Sequence, residues 1–258
     1  MFNEERQEKI LEVMDQKNKV TVKELSSMFG VSDVTVRKDL TDLCGAGLAV
    51  RTHGGAMKRT STRFELNQEE KAQEAYKEKK AIANYAYREI CDGETIMLYG
   101  GSTTQELARK IKTVAWKDLT VVTNALNIAN ELADAEGVSL LFVGGTMRKR
   151  ILTCVGPMAE EALNQLVVDR AFVSVNCVSL EYGLTAANIT EGCTVRSMLQ
   201  AGLRKYLLVH SEKFENNSIY RVCGVDDVQV IVTDDQLDPE LADRFKERKC
   251  QLVRVKVE

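Results

Sequence analysis

Apolar positions along this chain keep one spacing near its start and another further on. Ile10, Leu11 and Met14, then Val22, Leu25, Met28 and Phe29, then Val36, Leu40 and Leu43 recur every three or four residues. That period lines one face of a helix, so three short helices are predicted, the first over residues 4–15. Residues 68–90 are heavily charged but keep Ala75, Ala81, Ile82, Ala86 and Ile90 at helical spacing, which predicts one long helix with a solvated face. Beyond residue 93, short apolar runs at 96–99, 119–122, 140–143, 171–175, 206–209, 228–232 and 252–255 are predicted strands. Between them lie predicted helices at 105–111, 126–132, 158–166, 194–203 and 240–249. Strands that alternate with helices imply the long crossovers of parallel pairing, so this region is expected to be an α/β domain with a largely parallel sheet. The chain's two prolines, Pro157 and Pro239, stand where helices should begin.

Start and stop signals sharpen the amino-terminal pattern. Thr21 can cap the second helix, Gly30 permits a sharp turn, and Ser32 can cap the third. Gly45 and Gly47 are expected to close that third helix. With Val36, Leu40 and Leu43 facing a core, Ser32, Asp33, Thr35, Arg37, Lys38 and Thr41 point outward. Small hydroxyls beside two cations suit a helix entering the major groove of DNA, and residues 48–51 can form the strand of a wing that carries Arg51 and His53. The expected partner is a double-stranded DNA operator.

Composition changes this picture only in detail. The 258 residues, 44% hydrophobic and 28% charged, suffice for one large core and a small satellite, and argue against disorder. The net charge of −3 does not exclude nucleic acid, because Lys and Arg outnumber Asp and Glu through residue 60 and the acidic excess lies later. No apolar run is long enough for a membrane span, and the opening residues lack a basic region followed by a hydrophobic one, so a cytoplasmic location with no membrane partner is expected. Seven scattered cysteines, an odd number without metal-like spacing, are expected to be reduced and mostly buried thiols. No metal, cofactor or catalytic residue is expected.

Tyr99, Gly100, Gly101, Ser102, Thr103 and Thr104 lie between a predicted strand and a predicted helix, where backbone amides and a helix dipole converge on an anion. Asn124, Gly145, Thr146, Arg148 and Asn176 lie in further loops at the same predicted sheet edge, and His210 and Lys213 follow a later strand. Ligands of open α/β sheets bind outside the carboxyl ends of the strands, so these residues are the candidate effector site. Residues 58–63, polar and rich in hydroxyls, read as the start of a linker. The expected division is a DNA-binding domain at 1–57, a linker at 58–67, and an effector-binding and oligomerisation domain at 68–258.

Val31-Ser32, Thr35, Arg37-Lys38-Asp39-Leu40 and His53-Gly54-Gly55-Ala56 together resemble the DeoR family of bacterial transcription regulators. The likeness runs over nearly the whole chain, through Gly101-Ser102-Thr103-Thr104, Thr123-Asn124, Gly144-Gly145-Thr146, Val155-Gly156-Pro157, Gly183-Leu184-Thr185 and Lys213-Phe214. The resemblance implies a winged helix-turn-helix joined to a sensor similar to ribose-5-phosphate isomerase, binding a phosphorylated sugar or related metabolite, most often in a repressor. Three positions depart from the family pattern. Lys38 stands where a second arginine is usual, which keeps the charge but loses the planar fork. Tyr99 and His210 stand where aspartates are usual, removing two carboxylates that accept hydrogen bonds from sugar hydroxyls.

The leading expectation is therefore a sequence-specific transcription regulator whose operator affinity changes when the larger domain binds a small phosphorylated metabolite. One short reader helix covers few base pairs, so a homodimer or homotetramer is expected. The alternative is a sugar-phosphate isomerase-like enzyme with an appended DNA-binding module; with Tyr99 and His210 in place, Glu191 is the carboxylate left to face the pocket. A third reading makes residues 1–60 a protein-interaction winged helix, against which Arg37, Lys38, Arg51 and His53 on one predicted face argue.

Overall fold

Thr21 places its hydroxyl over the amide of Glu24 at 3.2 Å, while the Glu24 carboxylate accepts from the Thr21 amide at 3.4 Å. This reciprocal capping starts a helix at the predicted residue. The computed structural model describes residues 3–17, 19–45, 48–52, 54–58 and 68–257, apart from the side chains at 15, 16, 19, 50–52, 57, 58 and 69. It forms two compact units, Met1–Phe64 and Glu65–Glu258.

In the first unit α1 (Asn3–Lys17) and β1 (Lys19–Thr21) precede α2 (Val22–Phe29) and α3 (Asp33–Gly45), followed by β2 (Ala49–Thr52) and β3 (Gly55–Lys58). The strands form an antiparallel sheet in the order β1-β3-β2. Ile10, Met14, Val20, Val22, Leu25, Val36, Leu40 and Leu43 share one core with partly buried Leu11 and Phe29, so the three predicted apolar stripes meet except at Met28, which is 49% exposed. Gly55 must lack a side chain, since a Cβ there would lie 1.9 Å from the Val20 carbonyl oxygen across the β1–β3 pair. Gly47 and His53 lie outside the described residues.

The second unit opens with α4 (Gln68–Gln73) and α5 (Tyr76–Arg88), not with one continuous helix. The break is at Ala75, whose φ is 45°, and the amine of Lys79 turns back to bond the carbonyls of Lys71 and Glu74. Those end carbonyls gain a cationic donor in place of helical amides. The expected single helix is corrected on that account.

From there the chain runs β4 (Thr95–Leu98), α6 (Ser102–Lys112), β5 (Leu119–Thr123), α7 (Leu126–Leu132), β6 (Val138–Phe142), β7 (Thr146–Arg148), β8 (Thr153–Val155), α8 (Pro157–Leu163) and β9 (Val168–Val173). It continues through β10 (Cys177–Ser179), β11 (Gly183–Ala186), α9 (Ile189–Ala201), β12 (Gly202–Leu208), β13 (Tyr220–Cys223), β14 (Val230–Asp234), α10 (Pro239–Lys246) and β15 (Gln251–Val255). Seven of these strands form a sheet in the order β15-β14-β12-β9-β4-β5-β6, every neighbouring pair parallel. Ile96 and Leu98 enter one core with Ile82, Leu107, Phe172 and Tyr206, and Met97 enters the other with Met198, Leu207 and Phe245. Strands buried on both faces read as continuous apolar runs, which is why the sequence shows them.

The short antiparallel pieces β7–β8 and β10-β11-β13 were not expected, since three or four residues carry too little periodicity to register. Three helices end earlier than predicted, and Leu203, expected in a helix, is the second residue of β12. Pro157 and Pro239 each open a helix as expected. The cysteine expectation needs correction: Cys154 and Cys250 are buried, Cys91 is exposed, and Cys44, Cys177, Cys193 and Cys223 are half-buried. Among the described residues no helix is long and apolar enough to cross a membrane.

Strand order places a switch point at the centre of the sheet. The chain moves outward through β4, β5 and β6, then returns to β9 on the other side of β4 and moves outward the opposite way. Loops leaving the carboxyl ends of β4 and β9 therefore part around a crevice, the usual ligand position in such sheets.

Candidate functional site

The Ser32 hydroxyl accepts the Thr35 amide at 3.2 Å and lies 2.9 Å from the Thr35 hydroxyl, which starts α3. Thr41 spends its hydroxyl on the Arg37 carbonyl at 2.7 Å. Ser32, Asp33, Arg37, Lys38 and Thr41 are exposed and Thr35 is half-buried, opposite buried Val36, Leu40 and Leu43. The helix thus presents a polar, partly cationic face. The side chain of Arg51 and all of His53 lie outside the described residues.

Between those outward residues, Asp39 turns inward and is 1% exposed. Both its oxygens accept from Arg6 of α1, at 2.5 and 2.8 Å, and this bond to Asp39 raises the pKa of the Arg6 guanidinium. A two-pronged, desolvated ion pair therefore fixes the rotation of α3 on α1. The sequence motif contained Asp39, but its partner 33 residues away was not foreseen.

In the second unit the loop after β4 approaches β8 closely. A Cβ on Gly100 would stand 2.4 Å from the Thr153 hydroxyl and 2.8 Å from the Ala125 methyl, so only glycine fits. Thr104 staples the loop by donating to the carbonyl of Tyr99 at 2.5 Å, with the Gly101 carbonyl 3.0 Å away. Ser102, Thr103 and Thr104 are buried in the first turn of α6, and the Thr103 hydroxyl has no partner among the described residues. Asn124 donates to the Cys154 carbonyl at 2.8 Å, leaving its own buried oxygen without a partner.

Tyr99 is buried beneath this loop, its hydroxyl donating to Glu191 at 2.5 Å. The other oxygen of Glu191 takes a hydrogen bond from Arg148. One carboxylate thus ties β4, the first turn of α9 and β7 together. Asn188 holds Glu191 in place by capping α9, accepting the Glu191 amide at 3.0 Å.

Positive charge gathers after β12 and at the start of α5. Lys213 donates to the Val175 carbonyl at 2.8 Å, at the carboxyl end of β9. Burial, with Lys71 nearby, lowers its pKa to about 8. Lys79, 1% exposed, is likewise lowered to about 8 by burial and by Lys213. His210 is buried with its Nδ1 unpartnered, and burial followed by repulsion from Lys213 and Lys79 holds its pKa well below the usual imidazole range. An imidazole kept neutral beside two ammonium groups makes a setting that a bound anion would relieve.

Not every expected effector residue joins this group. Asn176 spends its oxygen on the Ala187 amide at 3.0 Å, and Gly145 and Thr146 are exposed at the β7 end. Among the described residues, no group of three or more His, Cys, Asp or Glu side chains is arranged to hold a metal ion.

Residues 6–62 match the model of the DeoR-like helix-turn-helix domain, and residues 74–235 match that of the DeoR C-terminal sensor domain. The chain belongs to the DeoR family. Its DeoR relatives include the lactose phosphotransferase system repressor of Lactococcus lactis subsp. lactis, 34% identical over 96% of this chain and 97% of that protein. The transcriptional repressor AccR of Agrobacterium fabrum is 32% identical over 91% of each chain. Among solved structures, ribose 5-phosphate isomerase A from Methanocaldococcus jannaschii aligns over 53% of each chain with a TM-score of 0.37 and 16% identity.

Within this DeoR chain the site residue that sequence reasoning missed is Lys79. A signal existed, because Lys79 precedes Ile82 and Ala83 by three and four positions and so lies on the buried stripe of α5. A lysine on an apolar stripe needs a partner, and here the partners are backbone carbonyls. Glu191, considered from sequence only as a proton-transfer group, is instead the acceptor shared by Tyr99 and Arg148.

Proposed function

We propose that this protein is a cytoplasmic, sequence-specific repressor of carbohydrate genes, and that a phosphorylated sugar bound to its second unit weakens operator binding. The observation that carries the DNA-reading half is α3, whose outer face offers Ser32, Asp33, Thr35, Arg37, Lys38 and Thr41 while Arg6 and Asp39 fix its rotation from behind. Arg51 and His53 complete the proposed DNA contacts from the wing. The names of the relatives, repressors of sugar systems among them, support the regulatory sign and the gene class.

The proposed effector site comprises Tyr99 to Thr104, Asn124, Gly145, Thr146, Arg148, Asn176, His210 and Lys213, with Lys79 added. Phosphate suits the α6 amino terminus and the Lys79–Lys213 charge, where amides and ammonium groups replace water around the dianion. With Tyr99 and His210 in place of carboxylates, Glu191 and Asn124 are the acceptors proposed for the ligand's hydroxyls. Binding rather than turnover is proposed, since Glu191 is held by both Tyr99 and Arg148.

A route to the DNA-binding unit starts at Gln68, the first residue of α4. Its amide donates to the Arg150 carbonyl at 2.9 Å and its side chain to Gln105 of α6 at 3.1 Å. Both contacts fall on segments proposed to hold the ligand, so ligand binding bears on the residue where residues 59–67 end. Coupling is reciprocal: a ligand that weakens DNA binding tenfold is itself bound tenfold more weakly in the DNA complex. A homodimer reading two half-sites is the proposed DNA-binding form.

The test is fluorescence anisotropy on a duplex that the protein selects from a random-sequence pool, titrated with a panel of sugar phosphates. Arg37→Ala should weaken binding to the selected duplex, and at least one phosphorylated sugar should release the wild-type complex. No selected duplex would refute the DNA-reading half, and selection without release by any panel member would refute the effector half.

A further inference from the structure

Val34, the second residue of α3, is 75% exposed, more than any other large apolar side chain among the described residues. It stands on the reader face itself. Residues 34, 37, 38 and 41 follow the spacing that keeps side chains on one side of a helix, so Val34 heads a stripe that continues through exposed Arg37, Lys38 and Thr41. The core side, with Val36, Leu40 and Leu43, faces the other way.

Nothing inside this unit accounts for a valine there. Its β-branched side chain is a poorer helix former than alanine, and at this exposure it recovers little by packing. The hydroxyls of the same face are meanwhile committed to the helix. Those of Ser32 and Thr35 meet at 2.9 Å over the start of α3, and Thr41 donates its hydrogen to the Arg37 carbonyl at 2.7 Å. In its first turn the stripe therefore offers a base edge two methyl groups, on a side chain that a helix backbone holds in one preferred rotamer.

The first turn of a reader helix is the part that reaches base edges. There the major groove presents one apolar group, the C5 methyl of thymine, where cytosine carries only hydrogen. Charge identifies DNA as what covers this stripe, since Arg37 and Lys38 lie on it beside Val34 and phosphates flank the groove.

We infer that Val34 is a specificity-determining residue, packing its methyl groups on the C5 methyl of one thymine in each operator half-site and so selecting thymine over cytosine there. The inference rests on the proposal that α3 reads DNA in the major groove. A stiff side chain has little rotamer freedom to lose on binding, so the contact keeps most of its worth. Because it uses shape and no hydrogen bond, it accepts any pyrimidine that carries the methyl group.

That last property gives the test. Full-length protein is titrated by fluorescence anisotropy against the duplex it selects from a random-sequence pool, with each thymine replaced in turn by deoxyuridine, which keeps the base pair and deletes the methyl. One thymine per half-site should respond, wild-type affinity falling about fourfold, the worth of one buried methyl group. Val34→Ala, a substitution that favours the helix, should bind the parent duplex at least about fourfold more weakly and be indifferent to deoxyuridine at that position. A cytosine·guanine pair placed there should bind wild type more tightly once the cytosine is 5-methylated, and Val34→Ala should lose that gain. A selected duplex in which no thymine responds, or in which every response persists in Val34→Ala, would overturn the contact and leave the DNA-reading proposal standing. Failure to select any duplex would overturn both.

Discussion

Asp39→Ala would leave the Arg6 guanidinium buried, 7% exposed, without the carboxylate that now takes two of its hydrogen bonds. Breaking a buried ion pair from one side costs about 3–5 kcal/mol, because the remaining charge keeps its desolvation penalty and loses its partner. A unit of some sixty residues holds roughly 3–9 kcal/mol of stability at the usual 0.05–0.15 kcal/mol per residue, so the loss consumes a third or more. At 1.4 kcal/mol per tenfold, a loss of about 4 kcal/mol raises the unfolded fraction of this unit nearly a thousandfold. The assay is amide hydrogen exchange on the full chain. Amides of Leu40 and Leu43 should exchange faster by about that factor, while those of β4 and β9 keep their wild-type rates, and DNA affinity should fall with the folded fraction. The double variant Arg6→Met with Asp39→Leu replaces two charges by apolar groups of similar length and should recover most of the protection. If Asp39→Ala changes exchange in α3 by less than about fivefold, roughly 1 kcal/mol, the pair does not hold the reader helix and the reasoning fails.

Arg37→Ala should weaken DNA binding and lower the slope of log affinity against log salt by about one if the guanidinium contacts a phosphate, or relax selectivity at one base pair if it contacts a base; a titration series in salt distinguishes the two, and no change in either would remove Arg37 from the interface. Gly100→Ala forces a methyl into the Thr153 hydroxyl and should cost about 1–3 kcal/mol by overpacking, seen as a lower melting temperature of the second unit; unchanged melting would mean that the loop can step away from β8. Tyr99→Phe removes the donor to buried Glu191 and should cost about 1–3 kcal/mol in urea unfolding, with Glu191→Gln at least as severe because Tyr99 and Arg148 bond different oxygens of the carboxylate and the amide keeps only one of them. Lys79 and Lys213 have folded pKa values of about 8, below their ordinary 10.5, so the unfolded chain binds more protons between those values and the ligand-free second unit should gain stability as pH rises from 8 to 10. Affinity for a phosphorylated ligand should fall over the same range as the ammonium charges are lost; calorimetry at several pH values that finds both trends with the same sign would refute the charge assignment.

Much of this protein was legible in short stretches of sequence. Thr21 and Glu24 name the start of α2 within four residues, Ser32 and Thr35 start α3, and the buried runs of β4, β9 and β12 spell the parallel sheet without reference to anything distant. The loop of the candidate effector site was legible for the same reason, since two glycines followed by three hydroxyls carry their geometry with them. The single helix expected over residues 68–90 failed because the deciding contact, Lys79 on the carbonyls of Lys71 and Glu74, follows from burial rather than from helical propensity. Short strands such as β7 and β10 escaped because pairing, not periodicity, makes them strands.

By itself the sequence determined the order and kind of the main elements, the capped reader helix with its outward polar face, and the strand-loop-helix at Gly100, because capping, periodicity and turn chemistry act over a few residues. Only the tertiary structure decided that Arg6 meets Asp39 across 33 positions, Arg148 meets Glu191 across 43 and Tyr99 meets Glu191 across 92. It also decided that β6 stands at an open edge. Such pairings depend on which faces pack and in what strand order, and that is settled by burying the whole apolar surface at once.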